Sequence, residues 1–308
     1  VSKIKNYLSL VKFSHTIFAM PFALIGFFLG IKDLERIPWV KVYEFGKLTV
    51  LQKTKLLLIH QWWLFILVLL CMIFARSAAM AFNRWLDKNF DAKNPRTAIR
   101  EIPAGVIKAN NALLFVFANC LLFIACCFFI NTICFYLSPI ALFVVLFYSY
   151  TKRFTALCHL VLGLGLSLAP IGAYLAVTGQ FALLPILFSF TVLFWVSGFD
   201  IIYALQDEEF DKKNRLHSVP AALGKAKALL VSNGLHILSA ACVIAAGVYG
   251  TYGTWYWIGV VFFAGLLIYQ HLLVKPNDLS KVNMAFFTTN GIASVVFAVF
   301  VIMDLFLS

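Results

Sequence analysis

The chain has 308 residues, of which 62% are hydrophobic and 16% aromatic but only 12% charged, a balance that no water-soluble domain of this length needs for its core. A membrane protein is expected. Its 25 Lys and Arg outnumber 13 Asp and Glu, for a net charge of +12, yet the basic residues sit in short gaps between apolar runs, which argues against nucleic acid as a partner and for membrane orientation.

A helix crosses the hydrocarbon with about 20 apolar residues. On that measure nine spans are expected, at 13–31, 57–82, 110–130, 132–150, 156–178, 181–203, 226–249, 253–274 and 284–307. No small-residue cleavage site follows the first, so it is expected to remain as an anchor. The second span leads into 83–109, a gap with six basic residues, and the sixth leads into 204–225, with four. Lys152 and Arg153, Lys275 and Lys281, and Lys3, Lys5 and Lys12 fall on the same side as those two gaps. The positive-inside rule makes that side cytoplasmic, with the N-terminus in and the C-terminus out, and a bacterial inner membrane is the expected location. Gaps at 131, 179–180 and 250–252 carry no Lys or Arg. Residues 32–56 run against the rule, since they hold Lys32, Arg36, Lys41, Lys47, Lys53 and Lys55 on the other side. The mixed apolar and basic stretch RIPWVKVYEFGKLTVLQKTKLLL in that gap has the pattern of a segment lying along the interface. No linker divides the chain, and 1–308 reads as a single domain.

Seven cysteines show no CxxC spacing and read as small buried hydrophobes. His15, His60, His159, His217, His236 and His271 show no HExxH or paired spacing and read as core or interface residues. GLGLSLAPIG at 163–172 follows no strand, so it reads as close helix packing rather than a nucleotide loop.

Eight of the 13 acidic residues fall in two clusters: Asp87, Asp91 and Glu101, then Asp200, Asp207, Glu208, Glu209 and Asp211. If the helices continue past the apolar runs, Asn83, Asp87 and Asp91 share one face at i, i+4 and i+8, and Tyr203, Asp207 and Asp211 repeat that spacing. Like charges at i, i+4 repel by a few tenths of a kcal/mol, so both ladders want a cation. Carboxylate oxygens suit Mg²⁺, which commonly joins one or two carboxylates to substrate phosphates. A single DxxxD is usually a solvated face, but two on the same predicted side point to a diphosphate site. Arg96 and Arg100 follow the first ladder, and Lys212, Lys213 and Arg215 the second, as candidates to hold phosphate charge. Arg76 and Asp200 interrupt apolar spans, where a charge needs a cavity or a partner; an ion pair is the alternative reading for either.

NRWLDKNFDAKNPRT at 83–97 and DIIYALQDEEFD at 200–211 resemble the NxxxDxxxD and YxxxDxxxD signatures of the UbiA superfamily of intramembrane prenyltransferases, and YSYTKRFT at 148–155 is similar to its Y-x-x-x-K-R-x-T segment. The three lie in family order, and nine spans agree with it. The resemblance implies an all-α bundle with a polar chamber open to the cytoplasmic side and a flank that admits a polyprenyl tail from membrane lipid. It implies Mg²⁺ held by Asn83, Asp87, Asp91, Asp207 and Asp211, clamping a polyprenyl diphosphate that an aromatic acceptor then attacks. Lys152 and Arg153 match the family's basic pair, and Tyr148 and Tyr203 would flank the allylic cation with π-faces, worth about 0.5–2 kcal/mol. Arg84 stands where a common form of the motif has a second acid, which puts the number of metals in question. HTIFAMPFAL at 15–24 is similar to first-helix segments of 4-hydroxybenzoate-type members.

The expected activity is Mg²⁺-dependent transfer of a polyprenyl group to an aromatic acid such as 4-hydroxybenzoate in ubiquinone or other quinone biosynthesis. Its rival within the class is a menaquinone-pathway enzyme with a naphthoate or futalosine-type acceptor. A different class, an ion or solute transporter, would put its charges at mid-bilayer in broken helices, whereas both ladders lie at helix ends.

Overall fold

The computed structural model describes residues 3–11, 18–36 and 48–307. Those residues form twelve α-helices and no strand: α1 Lys3–Leu10, α2 Met20–Lys32, α3 Val50–Leu86, α4 Lys88–Lys93, α5 Ala109–Ile130, α6 Thr132–Thr151, α7 Cys158–Thr178, α8 Leu183–Ala204, α9 Glu208–Lys213, α10 Val219–Tyr249, α11 Thr254–Leu273 and α12 Asn290–Leu307. Among them eight helical runs are long and apolar enough to cross a membrane, and α2 is a shorter apolar helix. The nine-span expectation is met to that approximation. The start of the first expected span, with His15, Thr16 and Ile17, and residues 37–47 of the proposed interfacial stretch lie outside the described residues.

Two boundaries differ by more than a turn, for local reasons. Thr49 and Gln52 form a reciprocal cap (Thr49 N–H to Gln52 Oε1 2.9 Å, Gln52 N–H to Thr49 Oγ1 3.3 Å), so α3 begins at Val50 and bends at Gln61, where φ is −141° and ψ 38°. Ser218 caps α10 with Pro220 in its first turn, so that helix also starts early and breaks at Gly224, whose φ of 77° suits glycine. Asn131 ties three helices together. Its carbonyl accepts from Cys134 N–H at 2.9 Å to start α6, and its amide donates to Leu175 O at 2.8 Å near the end of α7.

The bundle has a packed half and a hollow half. α2, α8, α10, α11 and α12 close around Phe22, Phe188, Trp195, Tyr256, Phe263 and Phe297, all fully buried. The Trp195 indole donates to Asn290 Oδ1 at 3.0 Å, and Asn290 follows a π-helical turn, Met284–Thr289, that opens α12. On the other side α3, α6, α7 and α8 surround a cavity of about 1120 Å³. Its α7 wall runs from His159 to Ala176, about 25 Å at 1.5 Å per residue. Of the GLGLSLAPIG glycines, Gly163 packs α7 on α8, since a Cβ there would meet Leu193 O at 2.4 Å, while Gly172 faces open cavity.

The two ends of the bundle also differ. The gaps at 83–109, 152–157, 205–218 and 274–282 gather at one end, as their mutual contacts show. Lys32, Asp33 and Lys53 belong to the other. There the buried Lys53 ammonium donates to Lys32 O at 2.9 Å, and Lys32 lies 5.4 Å from the Tyr252 ring. Those contacts give two of the dissenting lysines a structural use.

Candidate active site

Both acidic ladders break at their middle residue. α3 ends at Leu86 and α4 starts at Lys88, leaving Asp87 between them at φ −91°, ψ 6°. α8 passes through a 3₁₀ turn, Leu205–Asp207, into α9, and Asp207 takes nearly the same conformation, φ −103°, ψ 5°. This is the bridge region, where turn residues and many active-site residues sit. The expected continuous helices are thus jointed, but i to i−4 bonding persists across the first joint (Asp87 N to Asn83 O 2.9 Å, Asp91 N to Asp87 O 2.8 Å). Asn83, Asp87 and Asp91 from one side and Tyr203, Asp207 and Asp211 from the other therefore all line the mouth of the cavity.

Each of the four aspartates meets a cation, and for Asp87, Asp207 and Asp211 it comes from a different segment. Arg153 lies 2.9 Å from Asp87 Oδ1 and donates also to Leu86 O at 3.1 Å, and the Asn83 amide donates to Asp87 Oδ2 at 3.1 Å. Arg100 donates to both Asp91 oxygens, at 2.7 and 2.9 Å. Arg96 forks onto Asp207 through Nε at 3.1 Å and through a terminal nitrogen, and reaches Tyr203 Oη at 2.9 Å. Lys152 lies 2.8 Å from Asp211, a fully buried residue that also accepts from Ser218 Oγ at 2.8 Å. Burial pushes the Asp87 carboxyl up to about 6 against the opposing pull of Arg153. Burial works to lower the Lys152 ammonium, but Asp211 outweighs it and holds the group above its ordinary value; Asp207 does the same for Arg96.

The remaining predicted residues divide. Arg76, Tyr148 and Asp200 line the cavity deeper in. Among the described residues no ion pair or hydrogen bond reaches Arg76, and its Nε is buried. Asp200 is paired instead with His159, Nδ1 to Oδ2 at 2.7 Å. Lys212 does not join the site: it bonds Glu208 at 2.6 Å one turn away and is half-exposed. Arg84 is buried against Glu101 at 3.1 Å, which accounts for both of these as a structural pair.

Sequence reasoning missed His159, Asn94, Ser218, Phe286 and Phe287. Asn94 donates to Asp207 Oδ1 at 3.2 Å, and the π turn brings Phe286 onto the Tyr203 ring at 4.2 Å between centroids. The π turn had no signal in the apolar pattern. Asn94 stands next to the helix-ending Pro95 within the first motif, and so could have been weighed.

The donor set suits a hard divalent cation, being carboxylate and amide oxygens whose present partners are already cationic groups. Among the described residues no three His, Cys, Asp or Glu converge on one point. A metal here would take one or two protein carboxylates and complete its shell from elsewhere, the habit of Mg²⁺.

The chain is similar to known proteins. The UbiA prenyltransferase family model matches residues 57–292. A 4-hydroxybenzoate octaprenyltransferase of Nitrosomonas europaea is 31% identical over 236 residues, 76% of this chain and 80% of that one. Its counterpart in Francisella tularensis subsp. mediasiatica is 27% identical over 229 residues, 74% of this chain and 80% of that one. Among solved structures, the apo UbiA homologue from Aeropyrum pernix K1 superposes with a TM-score of 0.76 at 28% identity, over 94% of this chain and 98% of that one. A homologue from Archaeoglobus fulgidus bound to DMAPP and Mg²⁺ shares the fold at 20% identity and a TM-score of 0.68, covering 97% and 99%. With its jointed acidic ladders, its spanning helices and a family match over most of its length, the chain is an integral membrane protein that belongs to the UbiA prenyltransferase family.

Proposed function

We propose that the protein transfers a polyprenyl group from polyprenyl diphosphate to the ring carbon ortho to the hydroxyl of 4-hydroxybenzoate, as a step of quinone biosynthesis, with its charged end toward the cytoplasm. The observation that carries this reading is one continuous cavity with four Asp–cation pairs at its mouth, an unpaired Arg76 below them and an apolar wall beyond.

Arg153, Arg100, Arg96 and Lys152 would turn from their carboxylates to the phosphate oxygens, the arginines by bidentate forks and the lysine as a point charge. Asn83, Asp87, Asp91, Asp207 and Asp211 would hold Mg²⁺, which when bound neutralises the diphosphate as it leaves. Tyr148 and Tyr203 offer π-faces to the allylic cation, and the Tyr203 ring is kept in place by Phe286. Arg76 lies seven residues before Asn83, about 10 Å deeper along the helix, where its charge lacks an anion and an acceptor carboxylate would supply one. The tail extends along the small-residue face of α7, and the mouth residues keep bulk water from the cation.

The deciding experiment gives purified protein in detergent a polyprenyl diphosphate, Mg²⁺ and a panel of acceptors. The expected product is 4-hydroxybenzoate alkylated ortho to its hydroxyl. Product with only a naphthoate or a futalosine derivative would overturn the acceptor and keep the transfer, whereas no alkylated acceptor at all would overturn the reading.

A further inference from the structure

We infer that His159 is a positioning residue that holds Asp200 as the acceptor of the proton the aromatic ring loses, a role that rests on the aromatic transfer proposed above. His159 is almost wholly buried at the start of α7. Its Nε2 accepts a hydrogen bond from Val219 N–H at 3.3 Å. A backbone N–H can only donate, so Nε2 carries no proton and the neutral ring carries its hydrogen on Nδ1. That hydrogen points at Asp200 Oδ2, 2.7 Å away. One tautomer and one ring orientation are thereby fixed. In a serine-protease triad a carboxylate orients an imidazole; here an imidazole orients a carboxylate.

The far side of the ring is anchored as firmly. Val219 ends a short strap whose His217 N–H donates to Lys152 O at 2.7 Å, whose His217 O accepts from Cys158 Sγ at 3.4 Å, and whose Ser218 hydroxyl bonds Asp211 at 2.8 Å. Ser197 Oγ donates to His159 O at 3.1 Å, fixing the ring's own backbone to α8. His159 is the link between the diphosphate end and the deeper acid, so Asp200 is held in register with Lys152 and Asp211.

Depth gives Asp200 its task. It lies seven residues before Asp207, about 10 Å further in along the helix. Arg76 bears the same relation to Asn83 on the facing ladder. An acceptor ring between them would meet a cation on one side and a carboxylate on the other. In the reaction the C1–O bond of the prenyl diphosphate breaks, with the electron pair leaving on the diphosphate, and a ring carbon bonds to C1. That carbon must then lose its hydrogen as a proton to restore aromaticity. Asp200 takes it; no oxidant or reductant enters.

The test compares initial rates with acceptor carrying hydrogen or deuterium at the carbon attacked, in the full-length protein with Mg²⁺. Wild type is expected to show no primary isotope effect, because ionisation limits the rate. His159→Asn keeps an N–H near the Nδ1 position and should stay within about tenfold of wild type. His159→Gln carries its amide at the Nε2 end and should lose about 10²-fold in kcat, gain a primary isotope effect and keep its KM for prenyl diphosphate. Because both variants are polar and near the native volume, a folding failure of His159→Leu would not decide the matter. Gln as active as Asn, or a loss without an isotope effect, would overturn the positioning role alone. A wild type that prenylates no aromatic acceptor, although it binds the diphosphate, would overturn this inference together with the proposed function.

Discussion

The two halves of the bundle share helices and do opposite things. In the packed half, Phe22, Phe188, Trp195 and Phe297 fill the space between α2, α8 and α12 with rings at 5.4 to 6.3 Å between centroids. In the hollow half, α7 turns Gly165, Ala169, Gly172 and Ala176 toward a void. The placing of large and small residues along the helices separates them. α8 belongs to both, with Trp195 in the core and Asp200 and Tyr203 at the cavity. One half supplies rigidity, the other volume and charge.

Trp195→Ala would break the contrast most severely. It removes a fully buried indole and its bond to Asn290, at a cost of about 3–5 kcal/mol in stability, seen as a large fall in the detergent unfolding temperature. An unfolding temperature equal to wild type would mean that the packed half is not what holds the bundle.

Asp207→Asn should sharpen it from the other side. Turnover is expected to fall by about 10²–10³-fold, the scale of losing one preorganised electrostatic group. The unfolding temperature should move little, because Asp207 sits at the mouth and Asn keeps its shape. EDTA should match the variant in wild type. Full activity in either case would remove the mouth from the chemistry.

The smallest effect concerns pH. Burial raises the Asp87 carboxyl to about 6 in the folded chain, above the ordinary 3.8. The folded state therefore keeps this proton where the unfolded state has released it. Ionised Asp87 lowers stability above pH 6, and that loss is progressively relieved between pH 6 and 3.8. Since a metal needs the ionised oxygen, the Mg²⁺ concentration for half-maximal activity should rise as pH falls through about 6. A requirement flat from pH 7.5 to 5.5, or one unaltered in Asp87→Asn, would take Asp87 out of the metal site.

Much of this was readable from residues alone, because hydrophobic runs report spans and carboxylate spacing reports ladders. Asn83, Asp87, Asp91, Tyr203, Asp207 and Asp211 all line the cavity; in the first ladder the spacing of four survives because its joint keeps i to i−4 bonding. Lys212 was expected at the phosphate but lies outside the cavity, because a lysine four residues after Glu208 finds that partner first. His159 escaped prediction because its meaning lies in two contacts, with Asp200 and Val219, that are 41 and 60 residues away in sequence. The hollow half was least legible: a void is made by what neighbouring helices fail to fill, and no single segment encodes that.

The four Asp–cation pairs at the mouth make loading an exchange of partners rather than an addition of charge. With Arg153, Arg100, Arg96 and Lys152 already against Asp87, Asp91, Asp207 and Asp211, the empty protein never confronts the edge of the bilayer with bare carboxylates, whose desolvation would cost several kcal/mol each. On the proposed function a magnesium diphosphate would arrive as the complementary pair, its cation matched to the acids and its anion to the bases. Such binding would exchange ion pairs for ion pairs rather than add unpaired charge. The mouth would then select a ligand bearing both signs, since an inorganic anion or a metal ion alone would leave one half of the exchange unmet.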